Sequence, residues 1–368
     1  MNKKNVMILF GGQSNEHEVS VMSAKNVLEN IDRSKYDVVC VGITREGEWL
    51  LFDSDYEYLV PDSWQQYVRP SSGAESEAIR SPRDFIVSFA KRMGMDSVDV
   101  IFPVMHGINA EDGTLQGMLE LANIPYVGPG VLASAMGMDK EISRIMFERA
   151  GIPQCKYIAL DRSEAADPSA IAAIEEKVSE YIGYPCFVKP ANAGSSVGIS
   201  KAHDKDEFIP AVLEAAKYDS KILVEEFVNG REIECAVLGN GDAKASVLGE
   251  IIASNEFYDY NAKYIDNKSQ CVVPADLTGE TSDAIKDYAV KAFNVLQCKG
   301  LTRVDFFVDK DNEEIYINEV NTLPGFTSIS MYPMLWDAAG IGYSELIGKL
   351  IEFGIENYKS RERKLVSD

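Results

Sequence analysis

Two short segments near the end of the chain carry oxygen ligands at a spacing that could bind a divalent metal. Arg303 and Asp305 are two residues apart, and so are Glu319 and Asn321. Because residues i and i+2 of a strand project from the same face, each pair would share one face of its strand. Carboxylate and amide oxygens without His or Cys suit Mg²⁺ carrying nucleotide phosphates better than Zn²⁺. The alternative is a solvated polar face on an edge hairpin.

The turn-rich run between these two segments predicts the tip of a β-hairpin. If residue 309 pairs with residue 315, Asp305 lies opposite Glu319, and the other two side chains face each other one row further along. A slip of one residue would move one strand's side chains to the opposite face. The metal-site hypothesis therefore depends on the register.

The composition limits the partners that the protein can bind. The chain has 368 residues and a formal net charge of −22, which argues against a nucleic acid or an anionic membrane as partner. No stretch is long and apolar enough to span a bilayer. The six cysteines lack CxxC spacing, and the first apolar run is too short for a signal peptide. We therefore expect no disulfide framework, no zinc site and a cytoplasmic location.

The apolar runs predict a chain of several α/β units, and two or three domains are expected at this length. Three buried strands alternate with helices over residues 1–138, which predicts an open α/β domain. A second unit is expected over residues 139–230. The remaining segment, 231–368, contains longer strands and the metal hairpin.

A loop rich in small residues follows a strand that ends in a lysine. The run from Lys189 through Ser195 to Gly198 has glycines that let backbone N–H groups approach phosphate oxygens, and hydroxyls that add donors. Its order differs from the Walker A motif, and a plain turn is the alternative. Glu225 and Glu226 end a later strand and could face a nucleotide, although an ordinary strand end is the alternative.

Polar residues near the N-terminus could contact a small substrate. Glu16 lies where the first strand is followed by a helix, which is the usual ligand position of an open α/β sheet. Helix capping by Ser14, Asn15 and Glu18 is the alternative. His106 follows another buried strand, and a structural histidine is the alternative there.

Two later segments have the character of substrate-closing loops. The aromatic run that contains Lys263 and Tyr264 is typical of a lid. The loop from Asn321 to Met331 offers N–H groups and hydroxyls of the kind that bind an oxyanion or a carboxylate.

The order of these motifs is more specific than any one of them. The chain contains, in sequence, GGxSxExEVS, HGxxxEDGxxQG, MDK, VKPxxxGSSVG, EExxxGxE, FYDYxxKY, RVD and ExNTxPGxTxxS. This set closely resembles the D-alanine–D-alanine ligase family of the ATP-grasp superfamily, over nearly the whole chain. The resemblance implies an α/β, three-domain ATP-grasp architecture with an N-terminal open α/β domain. It also implies that ATP phosphorylates one D-alanine and that a second D-alanine displaces the phosphate, a step of peptidoglycan synthesis.

The resemblance assigns roles to individual residues. Catalytic roles are implied for Glu16, Ser195, Tyr264, Arg303 and Gly325. Substrate contacts are implied for His106, Ser330 and Met331. ATP contacts are implied for Lys140, Lys189, Glu225, Glu226, Val228, Glu232 and Lys263. Ligands of two Mg²⁺ ions, for which Mn²⁺ is an expected substitute, are implied at Asp305, Glu319 and Asn321.

The closest alternatives are relatives that form D-alanyl-D-serine or D-alanyl-D-lactate. The retained Tyr264 argues against lactate, whereas serine differs from alanine by one hydroxyl and is harder to exclude. A non-catalytic binding protein would not need Lys189 and Arg303, and another ATP-grasp ligase would need a further chemistry domain. The expected partners are D-alanine and ATP, and a homodimer is expected from the resemblance alone.

Overall fold

The computed structural model describes residues 3–68, 82–194, 197–252 and 270–361. Within these ranges the chain forms three β-sheets with helices packed against them. None of the described helices is long and apolar enough to cross a membrane.

The first sheet has the strand order β3-β2-β1-β4. Strand β1 pairs in parallel with β2 and β4, and β3 joins the edge antiparallel to β2. The three buried strands expected in this part of the chain are confirmed. The elements are β1 (Lys4–Gly11), α1 (His17–Asn30), β2 (Tyr36–Ile43), β3 (Trp49–Phe52), α2 (Pro82–Arg92), β4 (Val100–Val104), α3 (Thr114–Ala122) and α4 (Val131–Met138).

Strand β1 is buried on both faces, as a central parallel strand should be. Ile8 and Phe10 pack in one core with residues of α1, whereas Met7 and Leu9 pack in a second core with residues of α2 and α3. This alternation follows from the two-residue period of a strand. Because β1 and β4 are parallel neighbours, the loops that follow them lie at the same edge of the sheet.

The second sheet is antiparallel, with the strand order β5-β8-β6-β7. Helix α5 precedes it, and Asp139 caps that helix by accepting hydrogen bonds from the N–H groups of Glu141 and Ile142. The elements are α5 (Lys140–Arg149), β5 (Tyr157–Asp161), α6 (Arg162–Ala166), α7 (Pro168–Tyr181), β6 (Cys186–Pro190), β7 (Ser200–Ala202), α8 (Lys205–Ala215) and β8 (Lys221–Glu226).

The third sheet is also antiparallel, with the order β11-β10-β9-β12-β13. One face of β9 contributes Ala236 and Leu238 to a core that it shares with α1 and β1 of the first sheet. The other face packs against α9. The elements are β9 (Gly230–Gly239), β10 (Lys244–Ile252), β11 (Gln270–Val272), α9 (Gly279–Val295), β12 (Gly300–Asp309), β13 (Ile315–Asn321), α10 (Met331–Ala338) and α11 (Tyr343–Ser360).

Strands β12 and β13 form the predicted hairpin, and the register at the polar residues is confirmed. Asp305 pairs with Glu319, and Arg303 pairs with Asn321. The predicted pairing at the tip is wrong by one residue, because Val308 rather than residue 309 lies opposite Ile315. A β-bulge between Asp305 and Phe306 absorbs the difference, and such bulges often re-aim side chains next to active sites.

Candidate functional site

Three carboxylates form one row across the third sheet. Glu234 on β9 pairs with Asp305 on β12, which in turn pairs with Glu319 on β13. The next row places Arg303 opposite Asn321. Since directly paired residues share a face, these side chains converge on the same side of the sheet. Glu234 and Asp305 are almost fully buried, at 2% and 1% exposure.

Arg303 is held against the two buried carboxylates. Its Nε donates to Asp305 Oδ1 at 2.7 Å, and its Nη2 donates to Asp305 Oδ2 at 2.6 Å. Glu234 Oε2 lies 3.0 Å from Nε. Burial alone would lower the pKa of Arg303, but the charges of Asp305 and Glu234 outweigh it and raise that pKa well above its ordinary value. Arg303 is therefore a permanent cation in the floor of the site.

The donor set of this row fits a hard divalent cation. Asp305, Glu319 and Asn321 offer carboxylate and amide oxygens, which Mg²⁺ prefers, and no His or Cys is among them. Within the described ranges, no three His, Cys, Asp or Glu side chains converge closely enough to hold an ion by themselves. Asn321 Nδ2 also donates to Asp305 Oδ2 at 2.9 Å. These residues could thus contribute only part of a coordination shell, which leaves room for substrate phosphate oxygens and water.

Two buried lysines lie at the ends of short contacts to carboxylates. Lys140, the first residue of α5, has its ammonium 3.4 Å from Glu319 Oε2 and donates to the carbonyl of Ala193 at 2.8 Å. Lys189 on β6 lies 2.6 Å from Glu225 Oε2. Lys140 thus joins the glycine-rich loop to the third sheet, as a phosphate-binding residue between the two would.

Glu225 and Glu226 are neighbours on β8 with different surroundings. Arg144 Nε donates to Glu225 Oε1 at 2.9 Å, while Lys189 binds the other oxygen. Both carboxylate oxygens of Glu225 are thus engaged inside the protein. Glu226 is partly exposed and accepts a hydrogen bond from the N–H of Lys156 at 3.2 Å. Val228 lies in the connection between β8 and β9, Glu232 lies near the start of β9, and both are partly exposed.

The start of the glycine-rich loop is fixed by side chains of other elements. The Asn192 backbone N–H and its Nδ2 both donate to Asp219 Oδ2, at 2.7 Å and 2.9 Å. A Cβ on Gly194 would lie 3.1 Å from Glu16 Oε2, so Glu16 approaches this loop from the first sheet. The predicted partners of Glu16, Ser195 and Tyr264, lie outside the described residues, as does Lys263.

Glu16 occupies the N-cap position of α1, but its own side chain makes no capping hydrogen bond. Ser14 Oγ accepts the Glu16 N–H at 3.1 Å, which belongs to the turn before the helix. Glu18 lies in the first turn of α1, where its carboxylate pairs with Arg45. Glu16 faces the glycine-rich loop and the Gly107 turn instead, since a Cβ on Gly107 would lie 2.8 Å from Glu16 Oε2.

His106 and Glu111 connect the first sheet to the loop after the metal hairpin. His106 Nδ1 is 2.8 Å from the Leu323 carbonyl, which can only accept, so Nδ1 carries the proton. Glu111 accepts from the N–H of Leu323 at 2.9 Å and from the N–H of Gly107 at 2.8 Å. Ser23 Oγ accepts from the Phe326 N–H at 3.1 Å. The loop that follows β13 is therefore anchored to residues of α1 and of the segment after β4.

The same loop carries the last predicted residues. A Cβ on Gly325 would come within 2.8 Å of Ser330 Oγ, so no side chain fits at this position without displacing Ser330. Ser330 Oγ accepts from the Thr327 N–H at 2.9 Å. The Met331 side chain is buried in the core, so any ligand contact there would come from its backbone N–H at the start of α10.

Three site residues were missed by the sequence reasoning. Glu234 lies about seventy residues before Asp305, and only the strand pairing brings them together. Arg144 follows Lys140 by four residues, which is the spacing of one helix face and could have identified it. Glu111 lies inside a recognised motif, but its contact with Leu323 depends on the meeting of two sheets.

Glu111 should make stability depend on pH. Burial and, second, the Glu16 charge raise the pKa of Glu111 from 4.5 to about 7, although two N–H donors oppose them. A raised carboxyl pKa contributes stability below about pH 4.5 that is lost as pH rises through about 7. Glu111→Gln removes this loss. From about pH 5 to about pH 8, the free energy of unfolding of the wild type should fall by about 2 kcal/mol relative to that of the variant.

Urea unfolding at the two pH values measures this difference. Glu46→Gln, at an exposed turn, provides the control. Its effect on the free energy of unfolding should be the same at both pH values. A pH-independent effect of Glu111→Gln would contradict the assigned environment of Glu111.

Two family models and several relatives match this chain over nearly its whole length. The family model for the D-ala D-ala ligase N-terminus matches residues 5–129, and that for the C-terminus matches residues 146–352. The D-alanine–D-alanine ligase of Acetivibrio thermocellus is 53% identical, over 97% of this chain and 97% of that protein. The corresponding ligase of Ruminiclostridium cellulolyticum is 52% identical, over 99% of this chain and 98% of its own length.

Solved structures give the same result. The D-alanine–D-alanine ligase from Coxiella burnetii has a TM-score of 0.81 and 35% identity, covering 98% of this chain and 96% of its own. A D-Ala:D-Ser ligase from Enterococcus faecalis has a TM-score of 0.82 and 36% identity, covering 96% and 100%. The chain therefore belongs to the D-alanine–D-alanine ligase family.

Proposed function

We propose that the protein joins two D-alanines to D-alanyl-D-alanine at the expense of ATP, through an acyl phosphate, for peptidoglycan synthesis. The observation that carries this proposal is the meeting of three features at one place. The carboxylate row with Arg303, the glycine-rich loop with Lys140 and the substrate-side residues of the first sheet are joined by direct contacts. The curated relatives at 44–53% identity are D-alanine–D-alanine ligases, so D-serine and D-lactate are not proposed.

In this proposal the first D-alanine binds at the edge of the first sheet. Glu16 holds its ammonium group, and His106 lies in the same pocket. The carboxylate of this D-alanine attacks the terminal phosphorus of ATP, which forms the acyl phosphate and releases ADP. Lys140 and Lys189 offset the charge that builds on the transferring group. Mg²⁺, bound by Asp305, Glu319 and Asn321, would neutralise the phosphate oxygens; two ions, and replacement by Mn²⁺, are part of the proposal.

The second D-alanine then attacks the acyl phosphate. Its carboxylate is held by Ser330 and the Met331 N–H. Arg303 and the Gly325 N–H donate to the oxyanion of the tetrahedral intermediate, which then releases phosphate. The proposal also assigns Ser195 and Tyr264 as partners of Glu16 and Lys263 as an ATP contact, although these three residues lie outside the described ranges. Glu226, Val228 and Glu232 line the adenosine pocket. Glu225 contributes to ATP binding by holding the ammonium group of Lys189.

The remaining proposals concern organisation. We assign residues 1–138 to an N-terminal substrate domain, 139–230 to a central ATP-grasp domain and 231–368 to a C-terminal one, with ATP between the last two. The protein is proposed to act as a homodimer in the cytoplasm. All six cysteines are unpaired, which fits a reducing compartment.

A phosphate-release assay tests the function. We expect release to require ATP and Mg²⁺ and to occur with D-alanine but not L-alanine, because the substrate ammonium and carboxylate must meet fixed partners. D-serine and D-lactate, each offered together with D-alanine, show whether the second pocket accepts a hydroxyl. A folded protein that turns over no ATP with any D-amino acid would contradict the proposal.

A further inference from the structure

Glu234 is a buried carboxylate that belongs to neither the family motifs quoted above nor the metal hairpin. It lies on β9 directly opposite Asp305, with 2% of its surface exposed. Glu319 lies opposite Asp305 on the other side, on β13. Two strand spacings of about 5 Å each thus separate the backbones of the two glutamates. At this distance Glu234 is better placed to pair with Arg303 than to bind one metal ion together with Glu319.

Asp305 is heavily used by neighbouring donors. Its carboxylate accepts from Arg303 Nε, Arg303 Nη2 and Asn321 Nδ2, at 2.7, 2.6 and 2.9 Å. A divalent cation would need some of the same lone pairs. Arg303 and the cation therefore compete for Asp305.

Glu234 offers the guanidinium another acceptor. Arg303 Nε carries a single hydrogen, which Asp305 accepts, so Glu234 Oε2 at 3.0 Å contributes charge rather than a hydrogen bond. A small turn of the whole guanidinium that points Nε–H toward Glu234 would free an Asp305 oxygen. The guanidinium would keep a buried anion beside it and would stay in place.

We propose that Glu234 is a positioning residue that takes over the Arg303 guanidinium when Asp305 binds the divalent cation. This role rests on the proposed function, because that function supplies the cation. Glu234 thereby sets the metal affinity without being a ligand, and it keeps the oxyanion donor Arg303 beside the metal.

The test measures Mn²⁺ binding to the full-length protein in the presence of ADP. The electron paramagnetic resonance signal of free Mn²⁺ reports how much of the ion is bound. Glu234→Gln removes the alternative anion, so we expect Mn²⁺ affinity to fall about tenfold or more. Glu234→Asp keeps the negative charge but places it further from Arg303, because the side chain is one methylene shorter. This variant should lose less Mn²⁺ affinity. Glu250→Gln is the matched control on the adjacent strand, where Glu250 pairs with Arg231 at 2.6 Å, and should bind Mn²⁺ like the wild type.

A double variant separates positioning from direct ligation. In an Arg303→Met background Glu234 has no guanidinium to receive, so adding Glu234→Gln should not weaken Mn²⁺ binding further. A further loss there would make Glu234 a ligand and overturn the proposal. Unchanged Mn²⁺ affinity in folded Glu234→Gln, with only a lower Tm, would also overturn it. If Glu234→Gln does not fold, Glu234→Asp decides by the same criterion.

The binding assay contains no D-alanine, so it is independent of ligation. A protein that shows the expected Mn²⁺ pattern but forms no dipeptide would contradict the proposed function and support the role of Glu234. A protein that forms the dipeptide while Glu234→Gln binds Mn²⁺ normally would do the reverse.

Discussion

Replacing Glu319 with glutamine is expected to reduce kcat at least a hundredfold while leaving ADP binding nearly unchanged. The substitution keeps the size of the side chain but removes a charge from the row that would hold the cation. Metal charge acts on the transferring phosphoryl group, and several kcal/mol of that stabilisation correspond to a loss of this size. The adenosine pocket proposed at Val228 and Glu232 lies elsewhere and keeps its contacts.

Steady-state kinetics and calorimetric titration with ADP measure the two effects. The fold should persist, because Glu319 is partly exposed and Lys140 keeps its hydrogen bond to the Ala193 carbonyl. Glu313→Gln on the exposed hairpin tip is the control for charge removal and should have wild-type turnover. Equal losses in turnover and ADP affinity would contradict the metal role of Glu319.

Replacing Glu225 with glutamine is expected to destabilise the protein by about 3–5 kcal/mol, because it leaves Arg144 and Lys189 as buried cations without their anion. Burial alone would raise the pKa of Glu225, but the two cations lower it below 4.5. The stabilising contribution is therefore complete above about pH 4.5 and is lost as pH falls through the lowered value. The loss should be present at neutral pH and shrink in acid.

Urea unfolding checks this prediction, with the next residue as the control. Glu226 lies on the same strand but faces the other way, with a Lys156 ammonium 3.7 Å from its carboxylate in a largely solvated pair. Glu226→Gln should cost about 1 kcal/mol or less. Similar losses for the two variants would show that the Arg144–Glu225–Lys189 contacts do not stabilise the second sheet as inferred.

The strand pairing at the metal hairpin could be predicted because the polar residues alternate on both strands. That alternation defines which residues share a face, but the position of the turn gives the register only where neither strand contains a bulge. The bulge between Asp305 and Phe306 could not be predicted, since an extra residue in one strand leaves the alternation of its partner intact. The predicted tip pairing was therefore off by one residue while the site pairing was right.

The contacts that fix the site were largely beyond the sequence. Glu234 appears in an ordinary strand pattern, and nothing in that pattern shows which strand lies beside β12. The contacts of His106 and Glu111 with Leu323 join residues more than two hundred positions apart. They arise because α1 and β1 of the first sheet share a core with the third sheet, which is a property of tertiary packing.

An isotope-transfer experiment tests the central claim most directly. D-alanine labelled with ¹⁸O in both carboxylate oxygens is incubated with the protein, ATP and Mg²⁺, and the phosphate and dipeptide are analysed by mass spectrometry. If the carboxylate attacks ATP and the acyl phosphate is then opened by the second amine, each phosphate carries one ¹⁸O and one D-alanyl-D-alanine forms with it. Unlabelled phosphate, or labelled phosphate without dipeptide, would contradict the account.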